Sequence, residues 1–101
     1  MEISRVRDEL DRVIHEPSRL RIMSVLAASE SLSFGEMKEL LDMTDGNLSV
    51  HLRTLEEADY VEVDKTFIGR RPRTTAKLSK KGRRAFTRYA EILARLTEGA
   101  T

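Results

Sequence analysis

The stretch that most restricts what this chain can become runs from Thr44 to Arg73. Its first half, TDGNLSVHLRTLEEAD, places Leu48, Leu52 and Leu55 at i, i+4 and i+7, one apolar row on a helical period. The opposite side carries Gly46, Asn47, Val50, Arg53 and Thr54, small, neutral or basic, while Glu56, Glu57 and Asp59 are held back to the C-terminal end. A helix offered to the DNA major groove needs few carboxylates near the phosphates and short polar side chains at the end that enters. Thr44 is a suitable N-cap, and Asp45 suits the positive end of the helix dipole. Taken alone, the segment reads equally well as an ordinary surface helix. The residues downstream of it narrow the choice. From Tyr60 to Thr66, Val61 and Val63 alternate with Glu62 and Asp64; Thr74, Ala76 and Leu78 alternate with Arg73, Thr75 and Lys77 on the way back. Between them, Phe67-Ile68-Gly69-Arg70-Arg71-Pro72 reads as a loop with a glycine turn and a proline that discourages edge pairing. The expectation is a helix followed by a hairpin with a basic tip.

Charge sharpens this. The formal net charge is +1, but residues 1–64 hold 7 Lys/Arg against 15 Asp/Glu, whereas residues 65–101 hold 11 against 2. From Lys65 to Arg88 there are ten basic residues and no acid. Segregation this strong suggests a polyanionic partner for one face, against the plainer alternative of a solvated basic surface.

Other classes fare poorly. With no cysteine the chain has no disulfide framework, no thiolate metal site and no cysteine nucleophile. His15 and His51 fall on different elements, neither beside a nucleophile, and no phosphate loop, glycine fingerprint or paired carboxylates stand out. No enzyme, cofactor or metal is expected, although a His/Asp/Glu site at an interface stays open. No apolar run approaches the ~20 residues of a membrane span, and the N-terminus lacks a signal-peptide core, so a soluble cytoplasmic protein is expected. A length of 101 residues with 40% hydrophobic residues suits one small domain.

The remaining elements can be taken in chain order. Ile3, Val6, Leu10 and Val13 make a heptad-like stripe on a short first helix over residues 3–14, which must pack on the domain or on another subunit. Pro17 opens a second helix whose Leu20, Ile22, Met23, Val25, Leu26 and Ala27 should centre the core. Leu32 reads as a very short strand or an extended residue. Ser33-Phe34-Gly35-Glu36 fits a capping box opening a third helix through about Leu41, with Phe34, Met37, Leu40 and Leu41 on its inner face. Asp42-Met43-Thr44 then turns into the Leu48–Leu55 helix, which makes the pair a helix-turn-helix. Asp59 ends that helix where a left-handed residue, usually glycine, is common. Ser79 caps a last helix from Lys80 to about Leu96, with Phe86, Tyr89, Ala90, Leu93 and Leu96 as its stripe. Lys80, Lys81, Arg83, Arg84 and Arg88 crowd its N-terminal half against the dipole, a cost more easily tolerated if those charges serve a partner.

In this order the chain resembles the small prokaryotic winged helix-turn-helix transcriptional regulators of the MarR-like and ArsR-like superfamily. The resemblance rests on Pro17-Ser18-Arg19-Leu20-Arg21-Ile22, Phe34-Gly35-Glu36-Met37, the run from Thr44 to Leu55, Tyr60-Val61-Glu62-Val63, Gly69-Arg70-Arg71-Pro72-Arg73-Thr74 and Leu78-Ser79-Lys80-Lys81-Gly82-Arg83. Asp59 departs from the glycine usual before the wing strand. The resemblance implies a mainly α fold with a small β-hairpin (α+β), one winged helix-turn-helix over residues 1–101. It also implies a two-fold homodimer through the terminal helices, with Ile3, Val6, Leu10, Val13, Phe86, Tyr89, Leu93 and Leu96 at the interface. Such a dimer would bind double-stranded DNA at an inverted repeat, half-sites ~34–36 Å apart. Thr44, Asn47, Ser49, Val50, His51, Arg53 and Thr54 are the recognition-helix candidates, with packing or a phosphate contact expected for His51 rather than base reading. Lys65, Arg70, Arg71, Arg73, Lys80 and Lys81 are the candidates on and beside the wing, for phosphates or the adjacent minor groove. Rival readings are a non-specific architectural DNA coater and a winged helix used for protein contacts. Nothing in the sequence indicates an effector; one would have to use the dimer interface or a cleft between the end helices and the winged core.

Overall fold

The computed structural model describes residues 10–98. Its elements are α1 (Pro17–Ala27), β1 (Leu32–Ser33), α2 (Phe34–Leu41), α3 (Asp45–Glu57), β2 (Val61–Ile68), β3 (Arg71–Leu78) and α4 (Lys80–Glu98). The sheet is antiparallel with order β1-β3-β2. This is a winged helix fold of mixed α+β class.

Each helix start carries its cap. The Glu16 carboxylate accepts from the Arg19 amide at 2.8 Å ahead of Pro17. Ser33 and Glu36 close a reciprocal capping box at 3.1 and 2.8 Å, and those bonds from Ser33 hold the Glu36 carboxyl below its usual range. Thr44 accepts from the Asn47 amide at 3.2 Å. The apolar row of α3, Leu48, Leu52 and Leu55, is buried together with Ile22, Met23, Leu26, Met37, Leu41, Val61, Ala76 and Leu78 in one contiguous core.

Four expectations need correcting. Residues 12–14 form a turn rather than the end of a regular helix, yet Leu10 and Ile14 are buried in the core. Ile3 and Val6 lie outside the described residues. Leu40 stands 62% exposed, because an eight-residue helix that buries Met37 and Leu41 turns its i+3 position to the flank. On α4 the buried seam runs through Gly82, Tyr89 and Ile92, with Ala85 and Leu96 packed beside it. Ile92 is buried in that seam, and Phe86, half-buried against the core, Ala90 and Leu93 lie on the adjoining, partly open side. Leu10 and Tyr89, expected between subunits, are buried in the protomer's own core.

The fourth correction concerns the hairpin. Strand pairing continues through Phe67↔Pro72 and Ile68↔Arg71, leaving only Gly69 and Arg70 as the turn. Gly69 has φ 65°, and among the described residues Asp42 and Asp59 are the sole non-glycine positions with positive φ, so Arg70 has the ordinary sign. Those signs match a type II′ turn, whose twist suits a tight hairpin. In such a turn the flanking pair is hydrogen-bonded and the next pair is not. Pro72 therefore turns its nitrogen to the outer edge, beyond the reach of β1, which pairs only with Ala76 and Thr75.

The junction between α3 and the wing is a tight corner. The Asp59 amide reaches the Glu56 carbonyl at 2.9 Å and the Tyr60 amide reaches the Leu55 carbonyl at 3.0 Å, the two bonds of a Schellman motif. Asp59 fills its left-handed position at φ 63°. The start of α4 clasps this corner: the Ser79 amide donates to the Tyr60 carbonyl at 3.0 Å, and the Ser79 hydroxyl donates to the Asp59 carbonyl at 2.6 Å. That same hydroxyl oxygen accepts from the Gly82 amide at 2.9 Å. A Cβ on Gly82 would lie 1.9 Å from the Tyr60 carbonyl oxygen, so only glycine permits the approach. The Tyr60 hydroxyl in turn donates to the Asp11 carboxylate, and the Tyr89 hydroxyl lies 2.8 Å from His15 Nδ1. Burial, and then the Asp11 carboxylate, push the Tyr60 phenol up to about 12. Burial raises Tyr89 as well.

Urea denaturation should show three effects of this corner. Gly82→Ala should cost about 2–4 kcal/mol, since the obstacle is backbone and cannot step aside. Asp59→Gly should stabilise by about 0.5–1 kcal/mol through relief of the left-handed backbone. In the unfolded chain tyrosine ionises near its ordinary ~10, below the folded value for Tyr60. The stability this difference supplies is therefore complete below pH ~10 and lost as pH rises towards 12; Tyr60→Phe should flatten that decline relative to the native chain.

Candidate nucleic-acid interface

Because Leu48, Leu52 and Leu55 fix which side of α3 faces the core, the other side is set as well. Asn47, Ser49, Val50 and Arg53 are all exposed there, and Val50 is 62% exposed. Thr54 is half-buried, its hydroxyl donating to the Val50 carbonyl at 3.2 Å, which leaves its lone pairs outward. Thr44 is exposed at the N-terminal end beside Asp45. A carboxylate there would repel a phosphate, but Lys38 of α2 forms an ion pair with Asp45. No spacing rule in the sequence reveals that pairing, since it crosses the turn of the helix-turn-helix.

His51 sits apart from this face. It is half-buried, with Nδ1 3.3 Å from Arg19 Nη1 and 3.7 Å from Glu16 Oε1. Arg19 also donates through Nε to the Val13 carbonyl at 2.5 Å. His51 thus links α3 to the segment before α1.

Strand alternation sorts the wing's cations onto two faces. Val61 and Val63 point inward, so the pairs Lys65↔Thr74 and Phe67↔Pro72 continue on that same side. Thr66↔Arg73 and Ile68↔Arg71 lie on the outer side, and Arg70 occupies the turn. Lys65 and Thr74 consequently line a cleft of about 300 Å³ between wing and recognition helix, with Phe34, Ser49, Leu52, Arg53, Glu56 and Val63. Lys65 and Arg53 share this cleft with one carboxylate, Glu56.

Arg70 and Arg71 stand at the tip, while Arg73, paired with Thr66, lies two positions back along β3, close enough to α2 to help the Ser33 bonds lower the Glu36 carboxyl. Lys80 and Lys81 are not with them. They come after β3 at the base of the wing, roughly 23 Å of strand away from the tip at ~3.3 Å per residue. There Lys81 lies 5.8 Å above the Tyr60 ring, and both lysines line a shallow depression with Asp59, Glu62 and Lys77. Any anion they meet is a different one from that at the tip.

Two exposed residues carry no role in the sequence reading. Phe67 is 72% and Ile68 61% exposed, on either side of the turn. Reading this stretch as an open loop hid them; continued strand alternation through Ile68 and Arg71 would have placed them at a rigid apex. Among the described residues no group of three or more His, Asp or Glu is placed to hold a metal, and no helix is long and apolar enough to cross a membrane.

This geometry has relatives. The chain is 41% identical over 83 residues to an uncharacterised protein of Methanocaldococcus jannaschii, spanning 81% of this chain and 90% of that one. Its structure is similar to a transcriptional regulator homologue from Pyrococcus horikoshii OT3, with TM-score 0.87 and 30% identity over 99% of this chain and 98% of the other. NadR in complex with 4-hydroxyphenylacetate shares the fold at TM-score 0.69 and 24% identity, covering 97% of this chain and 67% of NadR. Disulfide-formed AbfR does so at TM-score 0.69 and 17% identity, covering 77% and 57%. Residues 18–97 match the winged helix DNA-binding domain as a family, a span from the first turn of α1 to the last turn of α4 that takes in every one of the elements between. The chain belongs to the winged helix DNA-binding domain family.

Proposed function

We propose that this protein is a sequence-specific transcriptional regulator that reads double-stranded DNA with α3 in the major groove and the wing on the adjoining backbone. The observation that carries this reading is the division of labour on one surface. The outward side of α3 offers groups that discriminate bases, and the wing offers cations that do not. Asn47 can pair with adenine, Arg53 with guanine, and Val50 can touch a thymine methyl. Ser49 and Thr54 supply short hydroxyls near them. Arg70, Arg71 and Arg73 meet phosphates or the minor groove beside the site, fixing orientation with little sequence information. Lys65, in the cleft, would add a cation for a phosphate between the two.

A two-fold homodimer completes the proposal. It would set two recognition helices ~34–36 Å apart on an inverted repeat. The partly open apolar side of α4, Phe86, Ala90 and Leu93, supports such a contact, with the stripe of Ile3 and Val6 as its expected complement. The name of the Pyrococcus horikoshii relative, a transcriptional regulator homologue, supports the regulatory part.

The test is titration into a duplex pool that includes the gene's own upstream region, at two salt concentrations. Affinity for one inverted repeat ~10³-fold or more above scrambled DNA is expected. Equal, salt-sensitive binding to every duplex would mean an architectural role, and no binding at low salt would leave only a protein-contact role. With ~6 phosphates neutralised per dimer, log affinity should fall against log salt with slope near −5. Arg71→Ala should weaken specific and scrambled duplexes alike. Arg53→Ala should also narrow the gap between them, and equal losses on both would remove Arg53 from base reading.

A further inference from the structure

The wing's apex is not built as a purely electrostatic finger. Phe67 and Ile68 project from opposite faces of the ribbon at its last two paired positions, 72% and 61% exposed. Across from them stand Pro72 and Arg71, and the turn between is only Gly69-Arg70. Large apolar side chains left in water forfeit the gain of burial, so a pair of them just behind the turn of a projecting hairpin calls for a surface that covers them. The charge around them says which. Arg70 in the turn and Arg71 opposite Ile68 flank the pair, Arg73 follows one paired position behind Phe67 and Pro72, and no acid occurs from Lys65 to Arg88, so an acidic, polyanionic surface is favoured over a neutral one. The hairpin reaches its apex fully paired, which gives the two side chains a rigid mount. A DNA minor groove combines lining phosphates with apolar base faces that open only when a step is unstacked.

We infer that Phe67 and Ile68 form an apolar wedge that enters the minor groove flanking the major-groove site and opens a base step there, bending the duplex. The inference rests on the DNA-binding reading proposed for this chain and adds a second source of specificity. Flexible pyrimidine–purine steps, TA and CA/TG, unstack most cheaply, so the wedge selects such a step at a position α3 never touches. The arginines beside it hold the flanking phosphates while the step is open. Nothing in this role asks for a hydrogen bond from the apex, in keeping with two hydrocarbon side chains at its lips.

The test uses the full chain and a 30-base-pair duplex selected by it from a randomised pool, with donor and acceptor dyes on the two ends and 2-aminopurine at the flanking step. Anisotropy reports binding independently. At saturation the native chain should shorten the end-to-end distance and raise the 2-aminopurine emission. Phe67→Ala and Ile68→Ala, both at exposed positions, should bind about tenfold or more weakly. At saturation they should leave the duplex straighter and the emission lower. Arg70→Ala should weaken binding yet bend the saturated duplex as the native chain does. Replacing the flanking TA step by GC should cost the native chain affinity and the Phe67→Ala chain little. Full binding with neither bending nor a change in emission overturns the wedge while leaving DNA recognition intact. Apex variants that bind and bend as the native chain does also overturn it, and assign the pair to a protein surface instead. Absence of binding to any selected duplex removes the DNA reading, and the wedge with it.

Discussion

The contact on which the rest depends is the closure of backbone on backbone where Gly82 meets the Tyr60 carbonyl. Three elements converge there. The recognition helix ends in its Schellman turn at Asp59, the wing departs at Val61, and the last helix arrives through Ser79. Because the Ser79 hydroxyl donates to the Asp59 carbonyl and accepts from the Gly82 amide, a single side chain satisfies groups at the end of one helix and the start of another. The direction of the wing relative to α3 is thereby a property of this corner, not of the strands. The segment before α1 reinforces it, touching the corner through Asp11 and the middle of α3 through Glu16, and through Arg19 in the first turn of α1 itself.

Much of this was legible in the sequence, for reasons that differ by element. Helices announce themselves by caps and periodicity, and Ser33, Thr44 and Ser79 each sit where the structure begins α2, α3 and α4. The family emerged from the order of short motifs, none diagnostic alone. The hairpin was foreseen but its loop overestimated, because the glycine-proline composition of Phe67 to Pro72 marks a turn without saying how short it is. Only the strand pairing through Ile68 and Arg71 reduces it to two residues, and the φ signs at Gly69 and Arg70 then give its type. On α4 periodicity picks out Tyr89 and Leu96 but not the burial of Ile92 beside the exposed Leu93, since those two are equally apolar and their neighbours in space, not in sequence, decide which is buried.

The candidate interface was legible as a face and less so as a map. Amphipathicity assigns Asn47, Val50 and Arg53 to the outside of α3 without reference to any partner. It cannot report that Lys38 pairs with Asp45, or that His51 is taken up by Glu16 and Arg19, since those contacts join separate elements of the chain. Nor does a count of basic residues distinguish cations at the apex from those at the base. The positive half of the sequence is spread along a hairpin and onto the helix after it, so it offers at least two separate places for an anion.

Seen mechanically, the wing is a beam held at one end. Among the described residues nothing beyond the two of β1 pairs with the outer edge of β3, where Pro72 offers no donor. With roughly 23 Å of strand ahead of the clamp, an angular play of about 5° displaces the apex by roughly 2 Å, a third of the ~6 Å width of a minor groove. The tolerance to which this protein can aim the tip of its wing is therefore fixed at a glycine with no side chain at all, at the far end of the hairpin from that tip.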